Sequence, residues 1–199
     1  MKHFIAKLGI MQRLPPNQRM TTDFPVLHFG RIPEFDREKW DFRVEGIVEN
    51  PVRLTYDEFK ALEMSADVSD FHCVTGWSRF DNKWEGVRFI DIVKLVKPAG
   101  FARFVTIECD GGYTTSLPFH ELMEPDVLFA CNFDGKPLEP AHGGPLRLVV
   151  QKKYAYKSAK WVRRVVFTQE QELGFWEQRG YSNSADPWKE ERYWYGTNP

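Results

Sequence analysis

Residues 142–168 read HGGPLRLVVQKKYAYKSAKWVRRVVFT. Apolar runs stand on either side of its centre, LRLVVQ (146–151) and WVRRVVFT (161–168), each with the length and β-branched content of a strand. Before the first run, His142-Gly143-Gly144-Pro145 forms a loop whose glycines would let the backbone approach a flat ligand closely. Arg147 offers a planar fork of donors for a carbonyl or a phosphate. Lys152, Lys153, Lys157, Ser158, Lys160, Arg163 and Arg164 then crowd around Tyr154 and Tyr156. Such a set of cations, hydroxyl and backbone donors suits a single phosphate. The same charges also fit the solvated face of a strand pair.

Working outward, more strands appear than helices. In WDFRVEGIV (40–48), Trp40, Phe42 and Val44 alternate with Asp41, Arg43 and Glu45, a half-buried strand ended by Asn50-Pro51. Thr55 and Glu58 have capping-box spacing and open a short helix burying Phe59 and Leu62. Strands are expected at 68–74, 103–109, 113–117, 127–133 and 136–138, with Asp134-Gly135 as the hairpin turn between the last two. Phe89, Ile92, Val93 and Val96 have helical spacing, closed by Pro98 and Gly100. Short helices among many strands, without regular βαβ alternation, indicate an α+β, strand-dominated domain. Residues 1–23 are expected as an N-terminal arm and 24–199 as one domain, its tail from Gly174 wrapping over the rest as irregular structure.

Bulk properties exclude little but direct attention. A chain of 199 residues, 42% hydrophobic and 28% charged, suits one soluble domain. A net charge of −1 gives no global attraction to nucleic acid or membrane. The first residues start like a signal peptide, but Lys7 and Arg13 interrupt the apolar run and no small-residue cleavage site follows. With three cysteines, Cys73, Cys109 and Cys131, at spacings unlike a zinc site or disulfide framework, a cytoplasmic location is expected.

Cys73 lies in FHCVTGWS, at a strand end before a glycine turn, where a soft thiolate could face a cleft and bind a redox-active metal. On position alone, a lone cysteine is more often a buried, inert one. His28 in VLHFG, Asp110 in ECDGGYTTSLP and Tyr181 in WEQRGYS each admit a structural reading, as core, turn and packing residue.

The order of these pieces resembles one family. CVTGWS with Trp84-Glu85-Gly86-Val87, then ECDGGYTTSLP, then HGGPLRLVV and KSAKW, is similar to the sulfite oxidase family of molybdopterin enzymes, in particular its small bacterial single-domain branch. The match runs from Phe24 to Trp188. The resemblance implies a molybdenum–molybdopterin cofactor whose metal Cys73 ligates. It implies cofactor contacts at His28, Cys109, Asp110, His142 and Arg147, and a phosphate turn at Lys157, Ser158 and Lys160. Tyr181 would stand beside the metal, with Arg79 as a second group for the substrate. The activity implied is two-electron oxygen-atom transfer to or from a small S-oxide, N-oxide or sulfur oxyanion, with electrons exchanged with a separate protein or carrier.

This chain also departs from the sulfite oxidases. Val26 and Leu27 stand before His28 where those enzymes carry an arginine for the anion, and Thr75-Gly76-Trp77-Ser78 replaces the arginines that follow their cysteine. Fewer cations favour a neutral S-oxide or N-oxide over a dianion. A non-catalytic molybdopterin-binding or carrier protein is the competing reading. It would keep the loop contacts without needing a metal-ligating thiol.

Overall fold

A computed structural model describes residues 13–194. The strands in chain order are β1 (Arg19–Met20), β2 (Asp41–Gly46), β3 (Val52–Thr55), β4 (Ser65–His72), β5 (Trp77–Arg88) and β6 (Phe104–Cys109). They continue with β7 (Thr114–Pro118), β8 (Leu128–Phe133), β9 (Lys136–Pro137), β10 (Arg147–Val149) and β11 (Val162–Thr168). The α-helices are short: α1 (Tyr56–Lys60), α2 (Phe89–Val96) and α3 (Phe119–Leu122). The architecture is the expected α+β one, dominated by strands.

Two sheets carry the domain. One runs β3-β2-β11-β6-β7, with β2 and β11 parallel and the other neighbours antiparallel. Its alternation follows the one read from residues 40–48 except at Asp41. Phe42 and Val44 are buried and Arg43 and Glu45 are not, but Asp41 is buried too, where Arg43, Arg53 and Arg163 hold its carboxylate. The other runs β1-β5-β8-β10, with β4 also paired to β5 and β9 to β8. Along β8, Phe129 and Cys131 enter the main core with Leu148 of β10, while Leu128 and Ala130 join a second cluster with Val149. That sheet is covered on both faces, which is why LFAC reads as an unbroken apolar run rather than an alternating one.

Local signals hold where the chemistry is local. The Thr55 side chain accepts from the Glu58 amide and the Glu58 carboxylate accepts from the Thr55 amide, closing the capping box at α1, worth about 1 kcal/mol. Asp134 and Gly135 both have positive φ, as a two-residue hairpin turn demands. Helix α2 stops one residue earlier than Pro98 requires, with Lys97 left-handed at the cap.

Three strands were not expected. β5, the longest, has Arg79, Asp81, Lys83 and Glu85 in its sequence, and its buried residues do not keep a two-residue period. A register shift at Glu85/Gly86 breaks the pattern. There Gly86 sits so close to β8 that an added Cβ would lie 1.9 Å from the Phe129 carbonyl oxygen. β3 is only four residues long, and β1 lies in the stretch expected as an arm. Of that stretch, residues 1–12 lie outside the described residues. Arg19 and Met20 pair in parallel with Trp77 and Ser78 of β5.

Beyond β11 the described chain has no strand, only one 3-10 turn at Glu177–Arg179 and a Tyr181–Tyr193 bridge. It is tied down by side chains. Lys157 and Glu177 form an ion pair at 2.5 Å with side chains 0% and 1% exposed, and the Thr115 hydroxyl donates to the same carboxylate oxygen at 2.7 Å. The Ala185 carbonyl accepts from the Tyr154 amide at 2.8 Å. Among the described residues no helix is long and apolar enough to cross a membrane.

Candidate active site

Cys73 opens the turn between β4 and β5. Its amide donates to the Trp77 carbonyl at 2.8 Å, and its own carbonyl accepts from the Gly76 amide at 3.0 Å. Gly76 takes φ +96°, a conformation that residues with a Cβ rarely adopt. The buried Gln18 side chain donates to the Cys73 carbonyl at 3.1 Å, and the Arg19 amide to the Gly76 carbonyl at 2.9 Å. Arg192 from the tail donates to the Val74 carbonyl. The turn is thereby held from both ends of the described chain. The Cys73 sulfur lies 3.1 Å from the Thr75 hydroxyl, and burial pushes the thiol pKa up.

The glycine loop builds the opposite wall, though not as its sequence implies. Neither Gly143 nor Gly144 lines the cavity. A Cβ on Gly143 would lie 3.0 Å from Lys160 and 3.1 Å from Arg147, and one on Gly144 would lie 2.1 Å from the Leu138 carbonyl oxygen. The glycines therefore make room for the site's own cations and backbone rather than for a ligand. Trp161 is left-handed at φ +58°. Its backbone is held by the Gly143 carbonyl at 3.2 Å and the Asp110 amide at 3.0 Å, so that Lys160 and Trp161 both face the same space.

That space is a cavity of about 330 Å³, at the small end of ligand pockets. Cys73, Arg147, Ser158, Lys160, His28 and Tyr181 line it together with Phe24, Leu27, Phe29, Thr75, Trp161 and Trp176. Arg147 is 2% exposed. It donates only to the carbonyls of His142 (2.8 Å) and Ser158 (3.0 Å), and its Nε has no partner. Lys160 likewise donates only to carbonyls, of Leu27 (2.9 Å) and Ala141 (2.6 Å). No carboxylate pairs with either cation among the described residues. A buried and a half-buried cation, both without a counter-charge among the described residues, beside a buried thiol, make a site suited to an anion with a soft metal attached. The dithiolene and phosphate of a molybdopterin carry that charge, so the residues present fit the cofactor.

Other sequence candidates point elsewhere. Arg79 spends its fork on Asp134 (2.9 Å), Asn82 (2.5 Å) and the Thr22 carbonyl (3.2 Å), so it braces the β8–β9 turn and does not face the cavity. Cys109 is buried in the main core. The Asp110 carboxylate pairs with Arg163 at 3.2 Å. His142 stacks on Phe24 at 4.3 Å, one layer behind the lining. Lys157 is consumed by Glu177, a partner 20 residues further along the chain. Ser158 reaches the lining, but its hydroxyl accepts from the Val150 amide at 2.9 Å.

The aromatic wall was missed. Trp161 and Trp176 belong to the Trp-rich last third of the chain, and composition alone could not separate lining from packing. Tyr181 packs against Trp176 at 5.0 Å and Tyr156 at 5.4 Å. Its hydroxyl has no hydrogen-bond partner among the described residues, which leaves it available at the cavity.

The uncompensated charge has a measurable consequence. Burial, and then Arg147, pull Lys160 down to about 7. Between that value and the ordinary lysine pKa of about 10.4, the unfolded chain binds more protons than the folded one, so stability rises with pH. The denaturation midpoint of the cofactor-free protein is expected to climb upward from pH 7. Thiols, with an ordinary pKa of about 8.5, are already half ionised at that pH and set the upper end of the useful range. Lys160→Met should flatten the climb; the same slope in the variant would mean that another group causes it.

Comparison with known proteins agrees with this geometry. Residues 29–176 match the oxidoreductase molybdopterin binding domain. The chain is 44% identical over 182 residues to the oxidoreductase YuiH of Bacillus subtilis (strain 168), covering 91% of this chain and 92% of that protein. It is 29% identical over 160 residues to the protein-methionine-sulfoxide reductase catalytic subunit MsrP of Campylobacter jejuni, covering 72% of this chain and 54% of the relative. In fold it is similar to the sulfane dehydrogenase SoxCD from Paracoccus pantotrophus, with a TM-score of 0.66 at 18% identity over 75% of this chain and 42% of that one. With the fold, the cavity and these matches in agreement, the chain belongs to the oxidoreductase molybdopterin-binding domain family and is a molybdopterin-dependent oxidoreductase of the sulfite oxidase type.

Proposed function

We propose that the enzyme carries out oxygen-atom transfer with a small substrate, in the direction that reduces an S-oxide or N-oxide, with Cys73 as the protein ligand to molybdenum. The observation that carries this is the buried Cys73 thiol facing a cavity whose two cations, Arg147 and Lys160, have no carboxylate partner among the described residues. When bound, the molybdenum–molybdopterin group supplies a two-electron couple able to accept or release an oxygen atom. Arg147 and Lys160 would hold its anionic parts, and His28 with Trp161 would border its flat ring system. Among the described residues no three His, Cys, Asp or Glu side chains gather to bind a metal by themselves, which fits a metal held by one thiolate and a cofactor.

The remaining lining acts on the substrate. Tyr181 would donate its hydroxyl hydrogen to the substrate oxygen. Leu27, Phe29 and Trp176 are apolar walls that exclude water and favour a substrate with a carbon skeleton beside its oxide. Reduction is favoured over sulfite oxidation because Arg79 is bound to Asp134 and, among the described residues, Arg147 is the one arginine lining the cavity, where it is assigned to the cofactor. Electrons would come from a separate redox protein or small carrier; the MsrP relative is by name one subunit of its enzyme. The buried free thiols fit the reducing cytoplasm.

The test is metal analysis of the holoprotein, followed by turnover with sulfoxides and N-oxides driven by a reduced viologen dye. Stoichiometric molybdenum and oxide-dependent dye oxidation are expected. Fast sulfite oxidation with no sulfoxide turnover would reverse the proposed direction, and absence of molybdenum would remove the reading altogether.

A further inference from the structure

We infer that Thr75 is a tuning residue for the metal site: its hydroxyl hydrogen-bonds the Cys73 sulfur and weakens it as a donor to the metal. The inference rests on the reading of Cys73 as the ligand. Thr75 stands two residues after that cysteine, and its Oγ1 is 3.1 Å from Sγ. Its main-chain N–H faces the same sulfur. A metal-bound thiolate can only accept, so the threonine is then the donor.

The turn that carries the hydroxyl is fixed. Gln18 and the Gly76 amide hold the Cys73 carbonyl, the Trp77 carbonyl holds the Cys73 amide, and Arg192 holds the Val74 carbonyl. Thr75 itself lines the cavity and is exposed there, with no packing role that a change of side chain would disrupt. The charged groups that also face the sulfur, Lys160 and Arg192, are spent on backbone carbonyls. Among the described side chains, only the Thr75 hydroxyl lies within hydrogen-bond distance of the sulfur.

Hydrogen bonds to a thiolate ligand draw charge off the sulfur, which raises the energy of sulfur-to-metal charge transfer and favours the reduced metal. Thr75→Val keeps the shape and the main-chain N–H but deletes the hydroxyl. In molybdenum-loaded Thr75→Val, the thiolate charge-transfer band is expected to move to lower energy and the metal's reduction potential to fall. Thr75→Ser should restore both. A purely structural role would instead lower metal content or folding stability and leave band and potential unmoved in the protein that does load. Loaded Thr75→Val with an unchanged band and potential overturns the inference while leaving Cys73 as ligand. If Thr75→Val fails to load, Thr75→Ala carries the same comparison. A band that survives in Cys73→Ser would overturn the reading of Cys73, and the inference with it.

Discussion

Glu177→Ala is expected to destabilise the fold by about 3–5 kcal/mol, because it strands the Lys157 ammonium in a dry interior. The pair is 0% and 1% exposed and separated by 2.5 Å, and Lys157 has otherwise the Ser116 carbonyl at 2.9 Å and Asn183 at 3.4 Å. Those neutral acceptors cannot replace a carboxylate. The double substitution Lys157→Met with Glu177→Leu should recover most of the loss, since well-packed apolar groups often match a buried ion pair. Chemical denaturation of the three proteins checks both statements. A loss below about 1 kcal/mol in Glu177→Ala would mean that the lysine escapes to solvent or sheds its proton.

Cys73→Ser is expected to remove nearly all turnover, by more than the roughly 100-fold that loss of an outer partner of a metal ligand costs. Serine keeps the turn, since the Cys73 amide and carbonyl, not the thiol, make its backbone bonds to Trp77, Gly76 and Gln18. Hence the variant should fold with unchanged stability, and its thiolate charge-transfer absorption should vanish. A carrier protein would retain its function in this variant. Molybdopterin binding retained by Cys73→Ser, with no oxide turnover in either protein, would therefore favour the carrier over the enzyme, whereas wild-type turnover in the variant would remove Cys73 as the required ligand.

What could be read from the sequence was chemistry confined to a few neighbouring residues. The strand end at Cys73, the Asp134-Gly135 turn and the Thr55–Glu58 cap each depend on positions within one turn of chain, and all three are in place. β5 was hidden because its buried polar residues find partners only in the folded sheet: Asn82 bonds the Ser69 and Arg79 carbonyls at 2.9 and 2.7 Å. The cation cluster at 152–164 dispersed for a similar reason. Lys152, Lys153, Lys157 and Arg163 pair with Glu124, Glu121, Glu177 and Asp41, all distant in sequence, and only Lys160 is left facing the cavity. Arg147 and Lys160 stand out as candidate site residues by what they lack among the described residues, a counter-charge, and no local pattern reports that.

Trp176 and Tyr181, which complete the cavity wall, lie beyond β11, the last strand among the described residues. No sheet holds that part of the wall. It hangs on the Lys157–Glu177 pair and on the bond from the Tyr154 amide to the Ala185 carbonyl. Whatever weakens those ties loosens one side of the pocket while both sheets still stand.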